Sequence, residues 1–164
     1  MAVYNYLGQP VTLADLRFKS PEYGEVLPNG KVVVHWEEEN EYVDDEGFDK
    51  FYVGNSGHID IISLPKGTKL ARYGGPEGSV TTLAGTPYES LGMPYVKETI
   101  QYHEYIVEKE IFCVVKRGKA ARMFDSPGGG IQFKHFCTIK KEVLNYKNLR
   151  EDFTWLEKRR SSES

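Results

Sequence analysis

Three stretches of this 164-residue chain carry side chains whose types and spacing could do chemistry. In Leu64–Gly78 (LPKGTKLARYGGPEG), Arg72 and Tyr73 end a strand-like run and stand directly before Gly74 and Gly75. A guanidinium so placed can take a phosphate through two N–H groups, and glycine lets a ligand approach the backbone. An exposed arginine beside ordinary turns would read the same way. In Ala84–Tyr88 (AGTPY), Thr86 and Tyr88 precede Met93-Pro94-Tyr95 and Tyr102-His103-Glu104. Small residues beside tyrosine can frame a flat aromatic ligand or simply pack a loop. In Ser126–Phe133 (SPGGGIQF), three successive glycines lose much conformational freedom on folding, which points to a backbone passing close to something. Gln132 follows at once, where an amide could orient a ribose hydroxyl or a water.

Other site chemistries find no pattern. The sequence contains no G-x-G-x-x-G, P-loop or G-x-S-x-G segment. Its four histidines, His35, His58, His103 and His135, are scattered singly and there is no C-x-x-C, so no metal site is expected. Cys113 and Cys137 lie in apolar, strand-like runs and read as buried thiols, or as a pair if those strands are neighbours. Residues 37–50 hold eight acids without the spacing of a calcium loop, which favours a solvated loop.

The elements that must position these residues follow from pattern and turn chemistry. Thr12 can cap a short helix over Leu13–Arg17, and Pro28-Asn29-Gly30 turns a hairpin over Glu25–Trp36. His58–Leu64 and Lys69–Tyr73 read as strands, and Gly74–Pro94 as a long irregular segment of the kind that carries function. Ile100–Val115 predicts one bent strand or two, followed by a basic turn at Lys116–Lys119 and the stretch Ala120–Phe124. A Gly-rich turn at Ser126–Gly130 leads to a strand over Ile131–Lys140. Leu144–Lys158 can form an amphipathic helix, with Arg159–Ser164 as a frayed tail. The expected class is α+β: a single domain with a mainly antiparallel β-sheet core and a few short helices. Residues 1–60 form a segment with hairpin and acidic loop packed on a core of 61–142, and 143–164 supply the terminal helix and tail.

Composition bounds the partners. The net charge of −3 conceals ten acids against two bases in Glu22–Lys50 and seven bases against one acid in Lys116–Lys141. The basic stretch interleaves Phe124, Phe133 and Phe136 but matches no nucleic-acid-binding module, so no nucleic acid is expected. No apolar run is long enough to span a bilayer and no secretory leader pattern is visible, so no membrane partner is expected.

Leu64–Tyr95 and Tyr102–Phe133 resemble the TNT domain, named for the tuberculosis necrotizing toxin. The resemblance rests on Pro65-Lys66-Gly67-Thr68, Arg72-Tyr73-Gly74, Pro76-Glu77-Gly78, Gly85-Thr86-Pro87-Tyr88 and Pro127–Phe133, in that order. It implies cleavage of NAD⁺ between nicotinamide and ribose, NAD⁺ being the substrate and no cofactor being required. It also implies that Arg72 contacts the pyrophosphate, that Gln132 is required for activity, and that His103 matches a histidine lining the site. Tyr73, Gly74, Gly75, Thr86, Tyr88, Gly129 and Gly130 are the further substrate contacts expected. Three positions depart from the family pattern: Ala71 replaces an aspartate, Val80 an aromatic and Leu91 a second arginine. Hydrolysis to ADP-ribose is the primary expectation. The alternatives are cyclisation to cyclic ADP-ribose and a non-catalytic NAD⁺ or ADP-ribose binding module. Relatives of this kind are often toxins with an immunity protein. Expected locations are therefore the cytoplasm, or delivery by a secretion system without a cleavable signal peptide.

Overall fold

The computed structural model describes residues 2–37, 40–43, 48–49, 63–111 and 116–162. The strand expected at His58–Leu64, half of the acidic loop and Cys113 lie outside the described residues, apart from Ser63 and Leu64, where Leu64 bridges Ile111.

The described residues form ten short strands and two α-helices, and six of these strands form one sheet. Their spatial order is β10 (Leu149–Asp152), β7 (Tyr102–Val107), β5 (Lys69–Tyr73), β6 (Val80–Leu83), β9 (Ile131–Lys134), β8 (Lys116–Lys119). Every neighbouring pair is antiparallel, so the fold is α+β with an antiparallel core. Leu70, Tyr105, Val107, Phe133 and Leu149 alternate onto one face and bury there with Leu64, Ile111 and Ile139. Ile139 belongs to α1 (Ile139–Leu144), which Thr138 starts by accepting a hydrogen bond from the Lys141 amide.

The N-terminal residues form two small hairpins against this core: β1 (Val3–Tyr4) with β2 (Pro10–Val11), and β3 (Gly24–Val26) with β4 (Val32–Val34). The second is turned by Asn29-Gly30, with Leu27 and Lys31 closing it through a 2.8 Å backbone bond. Residues 17–19 run beside 94–96, where Lys19 donates to the Pro94 carbonyl and Val96 to that of Arg17.

Several expected elements are corrected. The helix at Leu13–Arg17 is a single 3-10 turn over Leu13–Asp15, because Leu16 is already extended. The segment Gly74–Pro94 is not irregular throughout: Val80–Leu83 is a central strand, its β-branched residues outweighing the flanking glycines. Lys116–Lys119 is an edge strand and not a turn, a place where charged side chains also block further pairing. The strand at Ile131–Lys140 stops at Lys134, because Thr138 caps α1. No helix covers Leu144–Lys158. Lys147 takes a left-handed conformation, φ 56°, and Leu149–Asp152 leaves to pair with β7 before α2 (Thr154–Ser162) begins. An unpaired sheet edge beside β7 outweighed local helix propensity. α2 also takes in Arg159–Ser162 of the expected frayed tail.

Candidate active site

Register decides which side chains share a face. Ala71, Thr82 and Gln132 stand opposite one another across β5, β6 and β9, and Gly118 of β8 completes the row with no side chain. This row faces away from the core cluster, since its neighbours Leu70 and Phe133 point to the other side. Above it lies a cavity of about 500 Å³, within the ~300–1,000 Å³ usual for small-molecule sites. Ala71, Tyr73, Val80, Thr82 and Gln132 line the sheet side. Val11, Leu13, Leu16, Val34 and Trp36 line a second wall, and Leu91–Tyr95 a third. Gln132 is only 7% exposed.

Among the described residues, Arg72 is the one charged residue of the lining, and no Asp or Glu belongs to it. Glu104, one of the carboxylates nearest the motifs in sequence, instead accepts a 2.6 Å hydrogen bond from the Tyr102 hydroxyl. The cavity is therefore mostly apolar, with Gln132, Gln101 and threonines among its polar lining residues.

Arg72 lies one residue along from Ala71, on the opposite face from Gln132. Its Nε donates to the Gly75 carbonyl at 2.6 Å and its Nη1 to that of Val80 at 2.9 Å. The guanidinium thus staples the 74–80 loop. Gly78 is needed for this, because a Cβ there would sit 1.9 Å from Nη2. Burial lowers the arginine's pKa, with the nearby Tyr105 and Glu77 acting the other way.

His103 is the register partner of Arg72 and shares its face. Nδ1 pairs with Glu151 at 2.8 Å, Nε2 with Gln101 at 2.6 Å, and the ring stacks on Tyr105. His103 does not line the cavity, whereas Gln101 does. The Gln101 carbonyl also receives the Gly74 amide at 2.8 Å. His103 is therefore placed to hold Gln101, and with it the turn at Gly74.

Tyr73, Gly74 and Gly75 line the cavity; Thr86, Tyr88, Gly129 and Gly130 lie outside it. Tyr73 packs between Tyr88 and Tyr102, at 4.7 and 4.8 Å between ring centroids. Burial, with Glu89 adding to it, pushes the Tyr73 hydroxyl up to about 12, so it stays a neutral phenol near neutral pH. Tyr88 is buried, with its hydroxyl on the Tyr95 carbonyl at 2.7 Å. The backbone that the glycine run approaches is the protein's own. A Cβ at Gly128 would lie 2.6–2.7 Å from the backbone of Ala120 and Ala121, and one at Gly130 2.4 Å from Ser90 Oγ. Gly129 and Gly130 donate to Ala120 and Ser90, fixing where β9 begins and hence where Gln132 stands.

The N-terminal wall was not legible as part of a site. Its one signal is large apolar residues outside the core pattern: Leu13 is 73% and Trp36 63% exposed. Ala71, Val80 and Leu91, the three departures from the family pattern, all line this same cavity.

The fold and site define an antiparallel-sheet domain with a largely apolar cavity, a buried glutamine on its sheet side and a bordering loop stapled by one guanidinium. The family model for the tuberculosis necrotizing toxin matches residues 63–151, and the chain belongs to that family. Among solved structures, it is similar to the tuberculosis necrotizing toxin complexed with its immunity factor. That match has 18% identity and a TM-score of 0.52, covering 82% of this chain and 67% of that one. Weaker likenesses are to Tse6 in complex with Tsi6 (20% identity, TM-score 0.41, covering 65% of this chain and 76% of that one) and to Rhs1-CT with its cognate immunity protein RhsI1 (23%, TM-score 0.38, covering 56% and 74%). No curated protein sequence matches. Among the described residues, no helix is long and apolar enough to cross a membrane.

Proposed function

We propose that this chain is an NAD⁺ glycohydrolase acting as a toxin domain. The observation that carries the reading is Gln132 of the P-G-G-G-I-Q-F motif, held by its glycine turn on the sheet side of a cavity whose wall contains Arg72. In the reaction, the C1′–nitrogen bond of the nicotinamide ribose breaks and its electron pair returns to the pyridinium ring, which leaves neutral and needs no general acid. Water adds to C1′ and releases its proton to solvent, giving ADP-ribose. The ribosyl centre is cationic in passing, as in other glycosyl transfers. The lining holds no carboxylate among the described residues, so the Gln132 amide is the group assigned to orient the ribose diol or the attacking water. Arg72 faces away from Gln132, so its part is to hold the loop that borders the cavity through its bonds to Gly75 and Val80, with its positive charge behind that loop.

Cyclisation is the second reading. Ala71, Val80 and Leu91 bring small or apolar side chains to the cavity, leaving more room for adenine to fold toward C1′. Chromatography of the products separates the two: ADP-ribose alone excludes cyclisation. The reading extends to a protein inhibitor seated over the mouth, by analogy with the toxin solved with its immunity factor.

The direct test is turnover of a fluorogenic NAD⁺ analogue. Wild type is expected to release the fluorophore, and Gln132→Ala to lose turnover with an unchanged circular dichroism spectrum. Wild-type turnover by Q132A overturns the site. A wild type that binds NAD⁺ in calorimetry without cleaving it is a binding module and not an enzyme.

A further inference from the structure

Trp36 and Met123 line the catalytic cavity and also a second, open groove of about 710 Å³. The groove runs from Trp36 along Tyr42 and Arg122. It is a built feature. The Phe124 amide donates to Glu37 at 2.6 Å and Asn40 Nδ2 to the Arg122 carbonyl at 2.8 Å, tying its two sides together. The Trp36 ring leans on the fully buried Phe124, 5.9 Å away between centroids, yet remains 63% exposed. The Arg122 guanidinium lies over the Tyr42 ring at 4.5 Å. An exposed indole braced from one side, at the seam between two cavities, presents an open aromatic face to a ligand that spans both.

We propose that this groove is the adenosine subsite of the dinucleotide, with Trp36 as the platform on which the adenine ring stacks. The proposal rests on the NAD⁺ reading above. With the nicotinamide ribose beside Gln132, a dinucleotide that reaches from the first cavity into the groove passes Trp36, which lines both, and its base meets the indole face. Base–aromatic stacking needs only a π-face. Around it Glu41 and Asp125 offer carboxylates to ribose hydroxyls, with Arg122 beside them. The assignment gives the N-terminal segment a direct part in substrate binding. It also holds adenine away from C1′, which favours hydrolysis over cyclisation.

The test uses the full chain and ADP-ribose, which retains adenosine and lacks nicotinamide. ADP-ribose is expected to quench tryptophan emission in wild type, and Trp36→Phe to remove that signal. Calorimetry should show ADP-ribose binding weakened about tenfold or more in Trp36→Ala and largely restored in Trp36→Phe, as stacking requires. The KM for NAD⁺ should rise in W36A by a similar factor, with the loss falling on KM in preference to kcat. Unaltered ADP-ribose affinity in W36A, or no quenching in a wild type that binds ADP-ribose, overturns the subsite. A wild type with the quench and the W36A defect but no NAD⁺ turnover keeps the subsite and overturns the glycohydrolase reading. Turnover unaffected by W36A does the reverse.

Discussion

Replacing Arg72 with alanine removes two charge-assisted hydrogen bonds from a guanidinium that is mostly withdrawn from solvent. Bonds of this type contribute about 1.5–3 kcal/mol each. The Gly75 and Val80 carbonyls can partly rehydrate once the loop loosens, so the lower end applies and the pair is worth about 3 kcal/mol. In a domain of this size that corresponds to a fall of roughly 6–12 °C in Tm. Arg72→Lys keeps the cation but not the planar fork that reaches two carbonyls, and about half of the loss is expected to remain. Urea unfolding of the three proteins, followed by circular dichroism, measures the effect, and ADP-ribose calorimetry on the folded variants follows. A stable loop staple predicts that R72A loses stability and ligand affinity together. If R72A unfolds within about 1 kcal/mol of wild type while ADP-ribose binding disappears, the guanidinium is a ligand anchor alone and the staple is wrong.

Three shorter expectations follow. Gly78→Ala places a methyl 1.9 Å from Arg72 Nη2, so it should destabilise by about 1–3 kcal/mol and lower NAD⁺ turnover; wild-type stability in urea would contradict that packing. His135 is buried with Nε2 on the Thr81 hydroxyl and Nδ1 without a hydrogen-bond partner. Its pKa falls from 6.5 to about 4, first through burial and then through Arg72 and Lys134. The unfolded chain therefore binds the proton more readily. The stability this histidine contributes is full above pH 6.5 and is lost as pH falls to 4, by about 3 kcal/mol. A His135→Gln variant should show a flatter urea midpoint over that range, and a slope parallel to wild type would remove the assignment. Gly128→Ala forces a Cβ to within 2.6–2.7 Å of the Ala120–Ala121 backbone at φ 72°. It should disturb the start of β9 and cost turnover as well as stability, read by the fluorogenic assay beside a melting curve.

Local chemistry was legible where it is decided by a few adjacent residues. Asn29-Gly30 turned its hairpin, Lys69–Tyr73 became a strand, and the P-G-G-G run preceded one. The same reading failed where partners lie far away in the chain. Ser79-Val80-Thr81-Thr82 looked irregular between glycines because nothing nearby announces that β5 and β9 flank it. Leu149–Asp152 looked helical because its strand exists only through β7.

The candidate site divides along the same line. The residue types were visible in the chain: an arginine before glycines, a glutamine after them, and the ordered motifs that place the chain in its family. Their arrangement was not. Adjacent residues of a strand point to opposite faces, so one register decides that Gln132 joins Ala71 and Thr82 at the cavity while Arg72 and His103 turn to the other side. Across β5–β7 and β6–β9, register depends on pairings between residues far apart in the chain, such as Arg72 with His103 and Thr82 with Gln132, which local pattern does not encode. The wall formed by Leu13, Leu16 and Trp36 likewise exists only because the N-terminal segment packs beside residues 94–96. The sequence alone determined what chemistry was available, and the tertiary structure decided which of it meets in one cavity.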